Sequence, residues 1–199
     1  MVDFKNQDVY IDQNFSNIHL LENEIMAKEF DSCLFDACHF NDTKFINCKF
    51  YECKFVNCNL SMIGVKGCSF FDVVFEDTKA IGINWTEAAW PRIRLSSPFK
   101  FTKCILNHSS FFGLGLKEIV MHECIAKEVD FRDADCTEAN FSYTDFANSL
   151  FGKTNLTKAD FSEAISYDID IFNNEIKKAK FCLPEATRLL NCLDIELVD

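Results

Sequence analysis

Phenylalanine returns every fifth residue through residues 30–60, FDSCLFDACHFNDTKFINCKFYECKFVNCNL. An α-helix repeats every 3.6 residues and a strand every two, so neither has a use for that spacing. Continued along the chain, the step visits Phe30, Phe35, Phe40, Phe45, Phe50, Phe55, Leu60, Val65, Phe70, Phe75, Ala80 and Trp85. One residue out of phase, it resumes at Phe101 and runs through Leu106, Phe111, Leu116, Met121, Ala126, Phe131, Cys136, Phe141, Phe146, Phe151, Leu156 and Phe161. These 25 places hold 15 of the 22 phenylalanines, where random placement would put roughly three. Two places before each lies a smaller residue, Cys33, Cys38, Thr43, Cys48, Cys53, Cys58 and Cys68 in the first run and Cys104, Ser109, Cys124, Ala134, Ala139, Thr144, Ser149, Thr154 and Ala159 in the second. The other three places are mostly polar or charged. One large and one small inward residue, separated by an outward one, form a short extended side; a corner follows every five residues, and four sides close a square.

This pattern resembles the pentapeptide-repeat proteins, over about residues 10 to 181, with weaker members at Phe15, Leu20 and Ile25 and at Ile171, Ile176 and Phe181. The resemblance implies an all-β, right-handed quadrilateral β-helix of 20 residues per coil, and no enzyme activity. The chain departs from the family in one respect: glycine, common in the last place of the family repeat, occurs only six times. With 20 residues per coil, Phe30, Phe50 and Phe70 stack, as do Phe35, Phe55 and Phe75, about 4.8 Å apart per layer. The cysteines stack likewise, Cys33 on Cys53, Cys38 on Cys58, Cys48 on Cys68 and Cys104 on Cys124. In-register Cβ atoms near ~4.8 Å are too far apart for a disulfide, which wants ~3.8 Å, and five-residue spacing does not converge four ligands on a zinc ion. Free thiols and no metal are expected, which suits a reducing cytoplasm.

The N-terminal MVDFKNQDVYIDQN lacks a signal region, and no stretch offers the roughly 20 apolar residues of a membrane span. A net charge of -11 argues against binding nucleic acid directly. His19, His39, His108 and His122 are scattered, nothing pairs them with a nucleophile, and a phenylalanine-filled core leaves no substrate cavity. No enzyme, cofactor or membrane association is expected.

Two breaks carry more information. Between Trp85 and Phe101 the register slips within TEAAWPRIRLSSPFK, a loop at about 86–100 whose surroundings, Glu87 to Lys103, hold four basic residues and one acid, or +3. It reads either as a passive corner insertion or as a contact loop presenting Trp85, Trp90, Arg92 and Arg94; loops of Qnr-type quinolone-resistance members of the family contact a topoisomerase. The second break is residues 182–199, LPEATRLLNCLDIELVD with its leading residue, where Pro184 can begin a helix and IELV reads as a short strand. That segment caps the solenoid end. It also resembles the C-terminal element through which Qnr-type proteins form a two-fold homodimer, which would assign Leu189, Leu190, Leu193, Ile195 and Leu197 to the dimer contact. The organisation expected is therefore a repeat domain over 1–181 and a cap and dimerisation element over 182–199.

From Glu118 to Asp170 there are 12 acids against Lys127, Arg132, Lys153 and Lys158, a net -8 over 53 residues, all the acids at outward places. At ~4.8 Å per coil that segment is roughly 13 Å long, one net charge per about 1.6 Å against ~1.7 Å for duplex DNA. With the resemblance to Qnr-type and microcin-immunity members, this points to a DNA mimic. Asp130, Asp133, Asp135, Glu138 and Asp145 would meet the basic saddle of a type II topoisomerase such as DNA gyrase and so protect it from quinolones or a peptide toxin. The alternative is an interaction scaffold for an unrelated protein, its acids serving solubility.

Overall fold

The computed structural model describes residues 4, 7–21, 23–91, 98–193, 195 and 196. The chain winds as a right-handed parallel β-helix of square section. On the first face Val9–Ile11, Glu29–Asp31, Lys49–Tyr51 and Ser69–Phe71 pair in parallel. The second face runs from Asn14–Ser16 through Leu34–Asp36, Lys54–Val56, Val73–Glu76 and Phe99–Thr102 to Val120–His122, and closes with Asp160–Phe161 on Lys180–Phe181. The third face is a row of single bridges from His19 and His39 to Asp145 and Ile165; the fourth begins with Glu24–Met26 on Lys44–Ile46 and continues by bridges through Ser110, Asp130 and Leu150. Tyr10↔Phe30 and Phe35↔Phe55 pair at a step of 20 residues.

The five-residue period is explained by what points inward. Rings stack within each column: Phe30 and Phe50 at 5.1 Å, Phe35 and Phe55 at 4.5 Å, Phe131 and Phe151 at 5.2 Å, all within 11° of parallel. Across the square the same rings meet edge to face, as Phe30 and Phe35 do at 5.4 Å. Both geometries suit the aromatic quadrupole. Phe4, outside the repeat, plugs the first coil edge-on against Tyr10, Phe15 and Phe30.

The small inward residues do polar work. Cys38 donates from its thiol to the carbonyl of Phe15 (3.4 Å), while its backbone N–H is received by Cys58 Sγ one coil on (3.4 Å). Cys58 repeats the pattern, its thiol to Phe35 O and its N–H to Thr78 Oγ1, and Cys124 N–H meets Thr144 Oγ1 at 3.1 Å. A short side chain that can accept from the coil before and donate to a carbonyl satisfies backbone groups that the corner would otherwise strand, so Cys, Ser and Thr share this place. All eleven cysteines are free thiols, nine of them buried. Burial pushes Cys53 up to about 12 and raises Cys136 further. In the folded protein, maleimide should therefore modify only the half-buried Cys182 and Cys192, with the other nine reacting after denaturation; peptide mass spectrometry of the labelled chain checks this.

Most corners are turned without glycine. The residue two places after most central residues is left-handed, for example Ser32 (φ 54°), Asn47 (53°) and Glu138 (59°), which costs about 1–2 kcal/mol for residues with a Cβ. The offset is visible: in this conformation Ala37 N–H reaches Val56 O and Asp133 N–H reaches Gly152 O, each a bond to the next coil. Glycine stands at the corner position at Gly67, Gly82 and Gly113, and at Gly67 an added Cβ would stand 2.2 Å from Asn47 Oδ1, which would have to move.

The slip between the two runs is larger in space than in phase. Val73 pairs with Phe99 and Phe75 with Phe101, a step of 26 rather than 20, so this coil carries six extra residues. Ala89 N–H still bonds Cys68 O, and Val73 N–H bonds Pro98 O, which brackets the insertion. The sixteen residues from Trp85 to Phe101 are thus two repeats plus six, and residues 85–91 and 98–100 belong to the coil. Near the other end the inward places shift to Tyr167 and Ile169, both buried. A 3-10 helix, Glu185–Leu193, covers that end.

Candidate partner-binding surfaces

The five acids assigned to partner binding are outward, but the square distributes them. Asp130 stands on the fourth face, Asp133 at the corner leading to the first, Asp135 on the first, Glu138 at the next corner and Asp145 on the third face, opposite the first. No single face presents them all. Three have a structural task. Asp130, Asp135 and Asp145 each precede a central residue, and each carboxylate accepts the N–H two residues on, from Arg132, Thr137 and Ala147. Asn59, Asn140 and Asn155 make the same turn. The Asn-x-Ser/Thr triplets Asn84-Trp85-Thr86 and Asn155-Leu156-Thr157 are members of this corner motif.

Charges also pair from coil to coil. Partners twenty residues apart include Lys28 with Asp8 (2.7 Å), Lys49 with Glu29 (3.2 Å), Lys158 with Glu138 and Lys180 with Asp160 (2.8 Å). The Lys158 hydrogen bond lowers the Glu138 pKa; at Asp130 burial pulls upward, but the Arg132 guanidinium, bonded through two nitrogens, pulls the carboxyl lower. Lys103, Lys180 and Arg188, outside the 118–170 window, sit against Glu123, Asp160 and Asp168 inside it. Lys117 sits against Glu118 in the same way (3.7 Å), and these four cations reduce the net -8 of the window to -4 in space. Asp133 and Asp135 have no ion pair among the described residues.

Arg92 and Arg94 lie outside the described residues. Trp85 is fully buried, stacked on Phe111 at 6.0 Å and set against Phe70 and Phe99, so its side chain presents no surface to a partner. Its indole N–H has no acceptor among the described residues. Trp90 is half-buried; it donates from Nε1 to Trp85 O (2.8 Å) and meets Phe99 edge-on. The two tryptophans therefore buttress the base of the insertion.

At the C-terminus Leu189 packs on the core, Leu190 and Leu193 are half-buried, Ile195 is exposed, and Leu197 lies outside the described residues. Polar latches hold the segment to its own coil: Arg188 reaches both Asp168 oxygens (2.8 and 2.9 Å) and Tyr167 O, and Glu185 accepts Ser166 N–H. Beneath it Tyr167 is fully buried, its hydroxyl without a hydrogen-bond partner among the described residues, and burial pushes it up to about 12.

Sequence reasoning missed three residues. Phe71, Phe112 and Phe172 each follow a central place and point outward, 57%, 45% and 76% exposed. Their signal was in the repeat itself, since they are phenylalanines off the five-residue lattice. Among the described residues no group of three or more His, Cys, Asp or Glu could hold a metal ion, and no helix is long and apolar enough to cross a membrane. A groove of about 550 Å³ passes over Gly64 and Gly82 between Asp42, Lys44, Asn84 and Glu87.

The family model described as Pentapeptide repeat region matches residues 28–97 and 83–161. No curated protein matches the chain. Among solved structures, a trypsin-treated variant of QnrB1, a plasmid-mediated fluoroquinolone resistance protein, is similar at TM-score 0.60 and 17% identity, over 96% of this chain and 99% of that one. A second trypsin-treated QnrB1 variant gives 0.59 and 18%, over 93% and 100%. HetL, a pentapeptide repeat protein involved in heterocyst differentiation regulation in the cyanobacterium Nostoc sp. strain PCC 7120, gives 0.49 and 12%, over 87% of each chain. At these identities the likeness is one of fold.

Proposed function

The chain belongs to the pentapeptide-repeat family, and from that membership we propose that it is a non-enzymatic rod that binds a type II topoisomerase, DNA gyrase in the first instance, and protects it from quinolones or a peptide toxin. The observation that carries this reading is the pairing of a closed, ring-filled core with an outer surface of net charge -11. Such a rod has negative charge at its outward places and little room within, so it suits a basic protein groove better than a small substrate. QnrB1, similar in fold, is named for fluoroquinolone resistance. The mechanism is electrostatic complementarity, with the acids around Asp133 and Asp135 meeting Arg and Lys of the DNA-binding saddle, and Arg92 and Arg94 of the insertion fixing position.

A homodimer through the C-terminal segment is part of the proposal, placing two acidic halves about one centre; the half-buried Leu190 and Leu193 are available to it. A cytoplasmic location suits eleven unpaired thiols. The test is gyrase supercoiling with the purified protein titrated in, with and without ciprofloxacin. Relief of drug inhibition, or inhibition of supercoiling at higher protein, is expected. No effect at concentrations well above the enzyme's would move the reading to a scaffold for another protein.

A further inference from the structure

The four faces are not equivalent in the C-terminal half, and the fourth groups outward apolar and arginine side chains. On the fourth face Phe112 lies two coils before Gly152, with Arg132 between them and its guanidinium 5.8 Å from the Phe112 ring centre. Arg132 is itself held by Asp130 through two nitrogens. In the next coil Asn173 lies against Gly152, and Phe172, the residue before it, has its N–H closing the same turn on Asp170 that Arg132 closes on Asp130. Leu150 beside them is 47% exposed.

The column therefore reads ring, guanidinium, gap, with Phe172 in the coil beyond the gap. At the gap, a Cβ added to Gly152 would lie 3.6 Å from Arg132 Cγ and 3.4 Å from Asn173 Nδ2, so the floor is open but shallow. Exposed aromatic, aliphatic and arginine side chains grouped on an otherwise polar rod are the composition of an interface centre. Its rim is acidic, since Asp133 and Asp170 have no ion pair among the described residues. Among the described residues of this half, the other outward apolar side chains are Ile125, Ile165 and Tyr143, which stand singly on the third face or its edge, and Leu183 and Ile195 of the C-terminal segment.

We propose that the fourth face between Phe112 and Phe172 is the surface laid against the partner, and that its occupant is a basic protein surface presenting one apolar side chain, flanked by Arg or Lys, to the gap at Gly152. This assignment rests on the topoisomerase reading, which also sets the choice of probe. The probe is DNA gyrase, with binding read by surface plasmon resonance and inhibition by supercoiling. The double variant F112S/F172S should weaken binding at least tenfold. Gly152→Gln, at a site where the backbone is not left-handed, should do the same by filling the gap.

Tyr143→Ser, on the edge between the second and third faces, should leave binding within twofold. All three variants change outward side chains, and unchanged thermal melting verifies the fold. If the parent chain binds gyrase and the fourth-face variants bind equally well, this surface is overturned while the topoisomerase reading stands. If the parent chain does not bind gyrase at all, that reading falls and this assignment falls with it.

Discussion

Replacing Phe131 by alanine should lower the unfolding free energy by about 3–5 kcal/mol, among the largest effects available from a single substitution in this chain. Phe131 is fully buried, stacked on Phe111 at 5.5 Å and on Phe151 at 5.2 Å, and set at angles to Phe141 and Phe146. A β-helix has no second layer that can collapse into the space, so the cavity persists and four rings lose a partner. The damage should also be local, because each coil touches only its neighbours. Amide exchange should quicken chiefly in the coils around residues 111–151, with the first coils keeping their protection. Urea denaturation of the variant against Phe172→Ser supplies the contrast: the same residue type, 76% exposed, should cost no more than ~0.5 kcal/mol. A loss below 1 kcal/mol at Phe131 would mean that the backbone ladder, rather than the stacked rings, holds the rod.

The same contrast shows how far the structure was legible in the sequence. A period of five names its own inward residues, so the columns Phe30, Phe50, Phe70 and Phe35, Phe55, Phe75 are legible in the sequence alone. The sharing of one place by Cys, Ser and Thr was visible too, though its reason was not: hydrogen bonds such as Cys58 N–H to Thr78 Oγ1 couple residues a full coil apart. Phase arithmetic failed at the insertion because a slip of one residue and a gain of six leave the same remainder in a five-residue repeat. Only the pairing of Phe75 with Phe101 separates them. The two tryptophans were misleading for a physical reason. A large side chain next to a break serves equally as a contact or as a plug, and burial of Trp85 decides it. The acids were read correctly as outward, but a linear count cannot see Lys103, Lys180 and Arg188 arriving from neighbouring coils.

That three-dimensional redistribution sharpens the prediction for the acids themselves. The variant D130N/D133N/D135N/E138Q/D145N removes five negative charges and takes the net charge from -11 to -6. Asparagine makes the corner turn at Asn59, Asn140 and Asn155, so the three substituted turn acids should keep their hydrogen bonds, and the melting midpoint should move by no more than about 5 °C. Gyrase inhibition should nonetheless fall by on the order of 100-fold, and the remaining binding should depend less steeply on salt, since complementary charge sets both encounter and register. A rod lying in a groove meets it with at most two adjacent faces. Asp133 and Asp135, unpaired and flanking the edge between the fourth and first faces, should carry most of the loss as a pair. Asp145, on the opposite side and already bonded to Lys127 at 2.9 Å, should contribute almost none. Should D145N alone weaken binding as much as D133N/D135N, the rod docks through another side; should the fivefold variant inhibit like the parent, negative charge is not what the partner recognises.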